Sequence, residues 1–282
     1  MRPILRLLRA GNLAVSFVGV LVGGLVALGA GVRISLLDLA LFGLAGASAA
    51  LVTAGGNVLN DVLDVEGDRR NHPDRPLVTG AVSVATARRL AAGLFVAGIA
   101  AAVPVAVRDP LVAVLLAVAV GALLGYEFVW KARGFVGNLV VGLLTGLVFL
   151  YGGAAAGAAL LLVPFGLMAF FATVSREVIK DMEDVEGDVD RRTLPRVHGL
   201  HRSATVARGS VAVAIVLSAV PFLWFVPLAS VAGIMYLGLV AVADALFLVS
   251  VAYLPLRLHW EQSMSKIAMS VALLAFLAVA FR

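Results

Sequence analysis

Two stretches of this chain concentrate acidic side chains at a spacing that suits a hard metal ion. From Asn57 the sequence reads NVLNDVLDVEGDRRNHPDRPLVTG, and from Ser175 it reads SREVIKDMEDVEGDVDRRTLP. DVEGD stands in both, so Asp61, Asp64 and Asp68 recur as Asp181, Asp184 and Asp188. Residues i, i+4 and i+8 of a helix drift by only about 40° per step. Asn60, Asp64 and Asp68 are therefore expected on one helical face with Asp61 beside them, and the second motif on a similar face. Mg²⁺ favours octahedral oxygen ligation, keeps several waters, and is commonly held by one or two carboxylates plus substrate phosphates. Two facing clusters of this kind suit two such ions around one diphosphate. The competing reading is of solvated acids paired with nearby arginines, the usual fate of a charged run. Repetition of the same spacing at equivalent positions favours the metal–phosphate site.

The elements that must position these acids are membrane helices. The 282 residues are 62% hydrophobic and 14% charged, with mean hydropathy +1.05. Apolar stretches over 10–31, 36–59, 90–107, 110–129, 135–152, 156–174, 207–225, 229–253 and 264–281 are each long enough to cross about 30 Å of hydrocarbon as a helix. The fold class expected is all-α: nine transmembrane helices in a single domain over 1–282, with no soluble domain. The first stretch is too long for a removable signal peptide and is expected to be retained. GlyAsnLeu opens both the first helix, at 11–13, and the fifth, at 137–139. The expected organisation is two four-helix pseudo-repeats, about 1–130 and 131–255, plus a ninth helix over 264–281. Four crossings preserve direction, so both acidic motifs emerge on one face, unlike those of an inverted transporter repeat. A carboxylate at the bilayer centre costs about 2.5–3.5 kcal/mol, which places the motifs in a wet cavity at the helix ends.

All 22 Lys and Arg residues except Arg33, Arg108 and Arg282 fall on that same face. The positive-inside rule then puts the N-terminus and the acidic loops in the cytoplasm and the C-terminus outside. The pI near 10.1 comes from membrane-adjacent loops without a nucleic-acid-binding motif, so no nucleic-acid partner is expected. Cysteine is absent, which excludes disulfides, thiolate catalysis and Cys-based metal sites. His72, His198, His201 and His259 are read as loop residues with no HExxH pattern, leaving oxygen ligands for any metal.

With these residues in view, the chain resembles the UbiA superfamily of intramembrane prenyltransferases over essentially its full length. Asn60, Asp61, Asp64 and Asp68, followed by Arg75, Pro76, Leu77 and Gly80, look like the family's first motif; Asp181, Asp184 and Asp188 look like its second. Tyr126 and Lys131 match a Tyr and a Lys that the resemblance implies near the active site, Lys131 as a diphosphate contact. SerArgGlu at 175–177, the run at 180–188 and ArgThrLeuPro at 192–195 are most similar to the superfamily branch that builds archaeal ether lipid. The resemblance implies a helical bundle around a central cavity, Mg²⁺ dependence and an isoprenoid diphosphate donor. It also implies a lipid-phosphate acceptor, with geranylgeranyl passing to the hydroxyl of geranylgeranylglyceryl phosphate. On this reading Asn60, Asp64, Asp68, Asp181, Asp184 and Asp188 hold the metals, and Asp61 acts directly or through water. Lys131 and Arg75 neutralise diphosphate oxygens or serve as ordinary cytoplasmic anchors. Tyr126 either faces an allylic cation or belongs to the interfacial aromatic belt. Arg9, Asn12 and Arg176 are candidates for the acceptor's phosphate, against a purely structural or topological role.

Asp244 lies at membrane depth, either catalytic or neutral and hydrogen-bonded across helices. Glu127 is read as an interfacial carboxylate rather than part of the metal shell. Gly19, Gly23, Gly142 and Gly146 stand at the small-xxx-small spacing of close helix packing. Other readings remain: a quinone or other aromatic acceptor within the superfamily, a divalent-cation transporter, or a CDP-alcohol phosphatidyltransferase. Cytoplasmic helix ends, rather than broken midplane helices, count against the transporter. The DGxxAR-type element of the phosphatidyltransferase is missing, because Gly67 and Gly187 follow Glu.

Overall fold

In lipid, each backbone N–H and C=O must find a partner within its own segment or a closed barrel, and long runs of Leu, Val and Ala meet that demand as helices. A computed structural model describes residues 2–29, 34–131, 133–186 and 192–282. A short helix α1 (Arg2–Leu8) precedes α2 (Ala10–Leu28), α3 (Leu36–Leu63), α4 (Val65–Asn71), α5 (Val84–Arg108) and α6 (Leu111–Gly125). A π-helical turn, Tyr126–Trp130, extends α6. The second half holds α7 (Phe135–Ala155), α8 (Val163–Glu183), α9 (Leu194–Leu217), α10 (Val220–Trp224), α11 (Val231–Ala252) and α12 (Leu258–Val279). Nine segments of the described residues are long and apolar enough to cross a membrane, matching the nine expected from hydropathy. The chain is an all-helical, multi-pass membrane protein.

The motif-bearing ends of these helices run further than hydropathy indicated. The second crossing reaches Leu63 instead of 59, the third starts at Val84 instead of 90, the seventh at Leu194 instead of 207, and the ninth at Leu258 instead of 264. Hydropathy marks the hydrocarbon, whereas the hydrogen-bond ladder continues through good helix formers such as Arg88 and Arg89. The 28 residues of α3 span about 42 Å at 1.5 Å per residue, against about 30 Å of hydrocarbon, so its C-terminal turns lie outside the apolar layer. His198, His201 and His259, expected in loops, stand on the extended ends of α9 and α12 for the same reason.

Helix packing follows one order twice. In the first half α2 lies against α3 and α3 against α5; in the second, α7 lies against α8 and α8 against α9, and α2 meets α7 where the halves join. The small residues act as expected: Gly19 faces the Val148 side chain, Gly23 the Phe149 carbonyl, Gly142 the Phe170 carbonyl and Gly146 the Gly166 carbonyl. Edge-to-face contacts of Phe165 with Phe276 at 4.9 Å and Phe225 at 5.4 Å fill the core between α8, α12 and the segment after α10. At the start of α3 a Ser35–Asp38 capping box closes the helix, and Arg108 Nη1 reaches Asp38 Oδ1 at 2.6 Å. Beyond α12, the Arg282 guanidinium donates to the Val26 carbonyl at 2.8 Å, and burial lowers its pKa from the ordinary arginine value.

Candidate active site

The first acidic motif sits where α3 ends. The helix stops at Leu63, Asp64 takes φ −91° and ψ 0°, and α4 begins at Val65. The single helix expected to carry Asn60 through Asp68 is therefore interrupted. Asp64 N still donates to Asn60 O at 2.9 Å and Asp68 N to Asp64 O at 2.8 Å, so the acids stay on one side of a nearly helical path. Carboxylates at a helix C-terminus oppose its macrodipole and need positive charge nearby. Three cations supply it. Arg9 Nη2 donates to Asp61 Oδ1 at 2.6 Å and to Asn60 Oδ1 at 3.3 Å. Arg75 Nη1 lies 2.5 Å from Asp68 Oδ2 and 3.3 Å from Asp61 Oδ1. Lys131 Nζ lies 2.6 Å from Asp64 Oδ2.

The cations are placed by apolar packing outside the membrane core. Leu7 on α1 is fully buried against Val58 and Val62 of α3, Leu77 and Val82 of the following loop, and Ala87 and Ala91 of α5. This cluster fixes α1 and the Arg75 loop over the end of α3. Between α1 and α2, Arg9 adopts φ 55°, a left-handed conformation that non-glycine residues rarely accept. In that conformation its side chain reaches Asp61. Asn12 Nδ2 reaches Asn57 Oδ1 at 3.4 Å, and Asn57 Nδ2 holds the Leu8 carbonyl at 2.9 Å.

Glu127 belongs to this network, contrary to the interfacial role expected for it. Its side chain is 5% exposed, accepts from Asn60 Nδ2 at 2.9 Å, and pairs with Lys131 at 3.1 Å. The π turn explains the placement: Lys131 N bonds back to Tyr126 O at 2.9 Å, and the wider turn aims Glu127 and Lys131 together at α3. The signal in the sequence was the i,i+4 pairing of Glu127 with Lys131. Replacing Glu127 with Gln should lower kcat/KM about ten- to a hundredfold, the scale of a hydrogen bond to a charged group, because Lys131 and Asn60 both lose their orienting charge. Glu127→Asp should recover part of the loss, and wild-type kinetics in Glu127→Gln would remove it from the site.

The second motif ends α8 as the first ends α3. Asp184 caps the helix at φ −87° and ψ 2°, nearly the values of Asp64. Both fall in the sparsely allowed bridge region where many active-site residues are found. Asp181 Oδ2 accepts from Asn138 Nδ2 at 2.9 Å, an interaction the sequence reading missed although the repeated GlyAsnLeu pointed to it. Asp188 lies outside the described residues. Arg176 pairs with Glu177, which is 7% exposed, and Lys180 stands 3.8 Å from the same carboxylate. Asp244 is remote from these groups in sequence and packing; it accepts from the Ser218 hydroxyl at 2.8 Å, a hydrogen bond across helices.

One short segment touches both motifs. Lys131 bonds Asp64 of α3, and Asn138, two turns further along, bonds Asp181 of α8. Tyr126 lies alongside, with its ring edge 3.4 Å from the point a Cβ would occupy at Gly137. Among the described residues no three acidic or histidine side chains form a ready-made metal cage. The donor set still suits Mg²⁺, which is seldom held by an all-protein cage. Carboxylate oxygens of Asp61 and Asp68 converge on the Arg75 nitrogen, and those of Asp64 and Glu127 on the Lys131 ammonium, showing two places that already attract positive charge.

A nine-crossing bundle with paired Asp motifs and basic residues at one end of its helices defines a membrane enzyme built for a phosphorylated substrate. Residues 16–280 match the UbiA prenyltransferase family, to which this chain belongs. It is 40% identical over 249 residues to the digeranylgeranylglyceryl phosphate synthase of Methanoculleus marisnigri, covering 86% of this chain and 83% of that protein. A solved structure concerned with digeranylgeranylglyceryl phosphate synthase in membranes is 30% identical with TM-score 0.78, over 99% of this chain and 98% of that one. A UbiA homolog from Archaeoglobus fulgidus, solved with DMAPP and Mg²⁺, shares the fold at TM-score 0.71 and 20% identity, over 99% of each chain.

Proposed function

We propose that this membrane prenyltransferase moves a geranylgeranyl group from geranylgeranyl diphosphate to the hydroxyl of geranylgeranylglyceryl phosphate. The observation that carries the reading is the short stretch from Lys131 to Asn138, whose two ends bond one acid of each motif. Similarity to digeranylgeranylglyceryl phosphate synthases supports the acceptor, and the DMAPP and Mg²⁺ in the Archaeoglobus structure support an allylic diphosphate with a divalent ion.

Asn60, Asp61, Asp64 and Asp68 would hold one Mg²⁺, and Asp181, Asp184 and Asp188 a second. When bound, the metal supplies Lewis-acid stabilisation of the departing diphosphate. Lys131 and Arg75 contribute fixed positive charge to the same oxygens, Lys131 as a point charge and Arg75 as a planar fork. Glu127 holds Lys131 and Asn60 in register. Tyr126 presents its ring to the allylic carbon as charge develops there. Apolar faces of the surrounding helices exclude water from that carbon, leaving the acceptor hydroxyl as the nucleophile. Arg9 and Asn12 steady the first motif through Asp61 and Asn57, and Arg176 pairs with Glu177 one turn before the second. The clustering of basic residues at the motif end supports a cytoplasmic active site, with the C-terminus outside.

The test is to incubate purified protein with geranylgeranyl diphosphate, Mg²⁺ and a panel of lipid-phosphate, quinone and aromatic acceptors. Digeranylgeranylglyceryl phosphate should form, and EDTA should abolish its formation until Mg²⁺ is restored. Prenylation of an aromatic acceptor alone would overturn the acceptor assignment, and turnover in EDTA would overturn the metal.

A further inference from the structure

A second basic cleft opens beside the catalytic segment. It has a volume of about 400 Å³ and is lined by residues 133–136, Arg192, Thr193, Leu194, Val197 and His198. Arg133 and Arg192 are exposed, and neither guanidinium has an ion-pair partner among the described residues. No described lining residue is acidic. Thr193 is 5% exposed, yet its hydroxyl finds no hydrogen-bond partner there. A buried hydroxyl without a partner is uncommon and asks for one from outside the protein. The remaining lining, Phe135, Val136, Leu194 and Val197, is apolar. Val136 and Val197 are 42% and 49% exposed.

Positive charge above an apolar floor, at the end of membrane helices, matches an amphiphile with an anionic head. The cleft is also built closely. Gly134 takes φ 63°, and a Cβ there would stand 2.4 Å from the Arg192 carbonyl, so only glycine lets the loop before α7 meet the loop before α9. That contact brings Arg133 and Arg192 to one opening, three residues or fewer from Lys131 on one side and just past the second motif on the other. A phosphomonoester carries about −1.5 to −2 charge at neutral pH, whereas a phosphodiester carries one. Two guanidiniums, an imidazole and a hydroxyl suit the monoester better.

We infer that the cleft between Arg133, Arg192, Thr193 and His198 receives the phosphomonoester head of a lipid, the acceptor, before its hydroxyl reaches the catalytic cluster. The identification of that lipid as the acceptor rests on the proposed transferase activity; the preference for a lipid phosphomonoester does not. Because both arginines are exposed, an Arg133→Gln/Arg192→Gln variant should fold normally, as thermal unfolding would verify. In phosphatidylcholine vesicles its KM for geranylgeranylglyceryl phosphate should rise about ten- to a hundredfold, the scale of lost charge-assisted contacts, with the donor KM unchanged. Oleoyl lysophosphatidic acid, a lipid phosphomonoester, should inhibit the wild type competitively with the acceptor and bind the variant correspondingly weakly. Thr193→Val should show a smaller loss of the same kind. Equal acceptor KM and equal lysophosphatidic acid binding in wild type and variant would overturn the site. Equally strong competition by phosphatidylglycerol, a diester, would overturn the monoester preference. If the wild type makes no lipid product, the transferase reading fails on its own, and direct lysophosphatidic acid binding still decides the site.

Discussion

Asp64→Asn and Asp184→Asn, made separately, should each lower kcat for prenyl transfer by about a hundred- to a thousandfold while the purified protein keeps its melting temperature within a few degrees. The expected size is that of removing one electrostatic contact aimed at developing charge in an active site. These two residues occupy the same point in each half, the residue that ends a helix at φ near −90° and ψ near 0°. An acid there is unfavourable for the helix itself, since the macrodipole places negative charge at the C-terminus. Stability does not explain why both positions carry carboxylates. Asparagine keeps the shape and can still accept from Lys131 in the first site, so the substitution isolates charge. Lys131 keeps its pair with Glu127 at 3.1 Å in the Asp64 variant, which limits the effect on folding. The variants should also need more Mg²⁺ for half-maximal rate. Wild-type turnover in either one, at saturating donor, would return the acids to the status of solvated charges.

Much of this arrangement could be read from residue order because lipid leaves few choices. Nine apolar runs of sufficient length have to be helices, and a repeated DVEGD at the ends of the second and sixth has to lie on one face of the membrane. What stayed hidden depended on local backbone geometry. No Gly or Pro marks the break at Asp64; the turn is accommodated by the acids' own bonds to Arg9, Arg75 and Lys131. Glu127 reads as interfacial because nothing in YEFVWK announces the π turn that sets it against Asn60. Residue order offers Arg9 as an acceptor contact or a topological charge and not as a partner of Asp61, because nothing in RPILRLLRAG announces a left-handed residue between two helices. Asn138 carries a signal in the GlyAsnLeu it shares with Asn12, which points to repetition rather than to a polar partner for the second motif.

The seam between the halves carries the other large expected effect. Gly152 on α7 faces α2 so closely that a Cβ would sit 2.1 Å from the Val20 carbonyl and 2.9 Å from the Gly24 amide nitrogen, both backbone atoms that no side-chain rotation can move. Close approach of this kind drives association of helices in lipid, where apolar burial alone contributes little between them. Gly152→Ala should cost about 1–3 kcal/mol as an overpacked contact, lowering the melting temperature by about 3–10 °C in detergent. Gly152→Leu should give no folded protein. Gly43→Ala is the control, since a Cβ at Gly43 meets nothing within 4 Å; it should melt within a degree or two of wild type. The seam also ties stability to chemistry. Its helix α2 starts at Ala10, next to Arg9, while α7 carries Asn138 and follows Lys131. A Gly152→Ala protein that still folds should therefore lose kcat as well, because separating α2 from α7 pulls the Arg9 contact on the first motif away from the Asn138 contact on the second. Full activity together with the lowered melting temperature would show that the two motifs are held in register by something other than this seam.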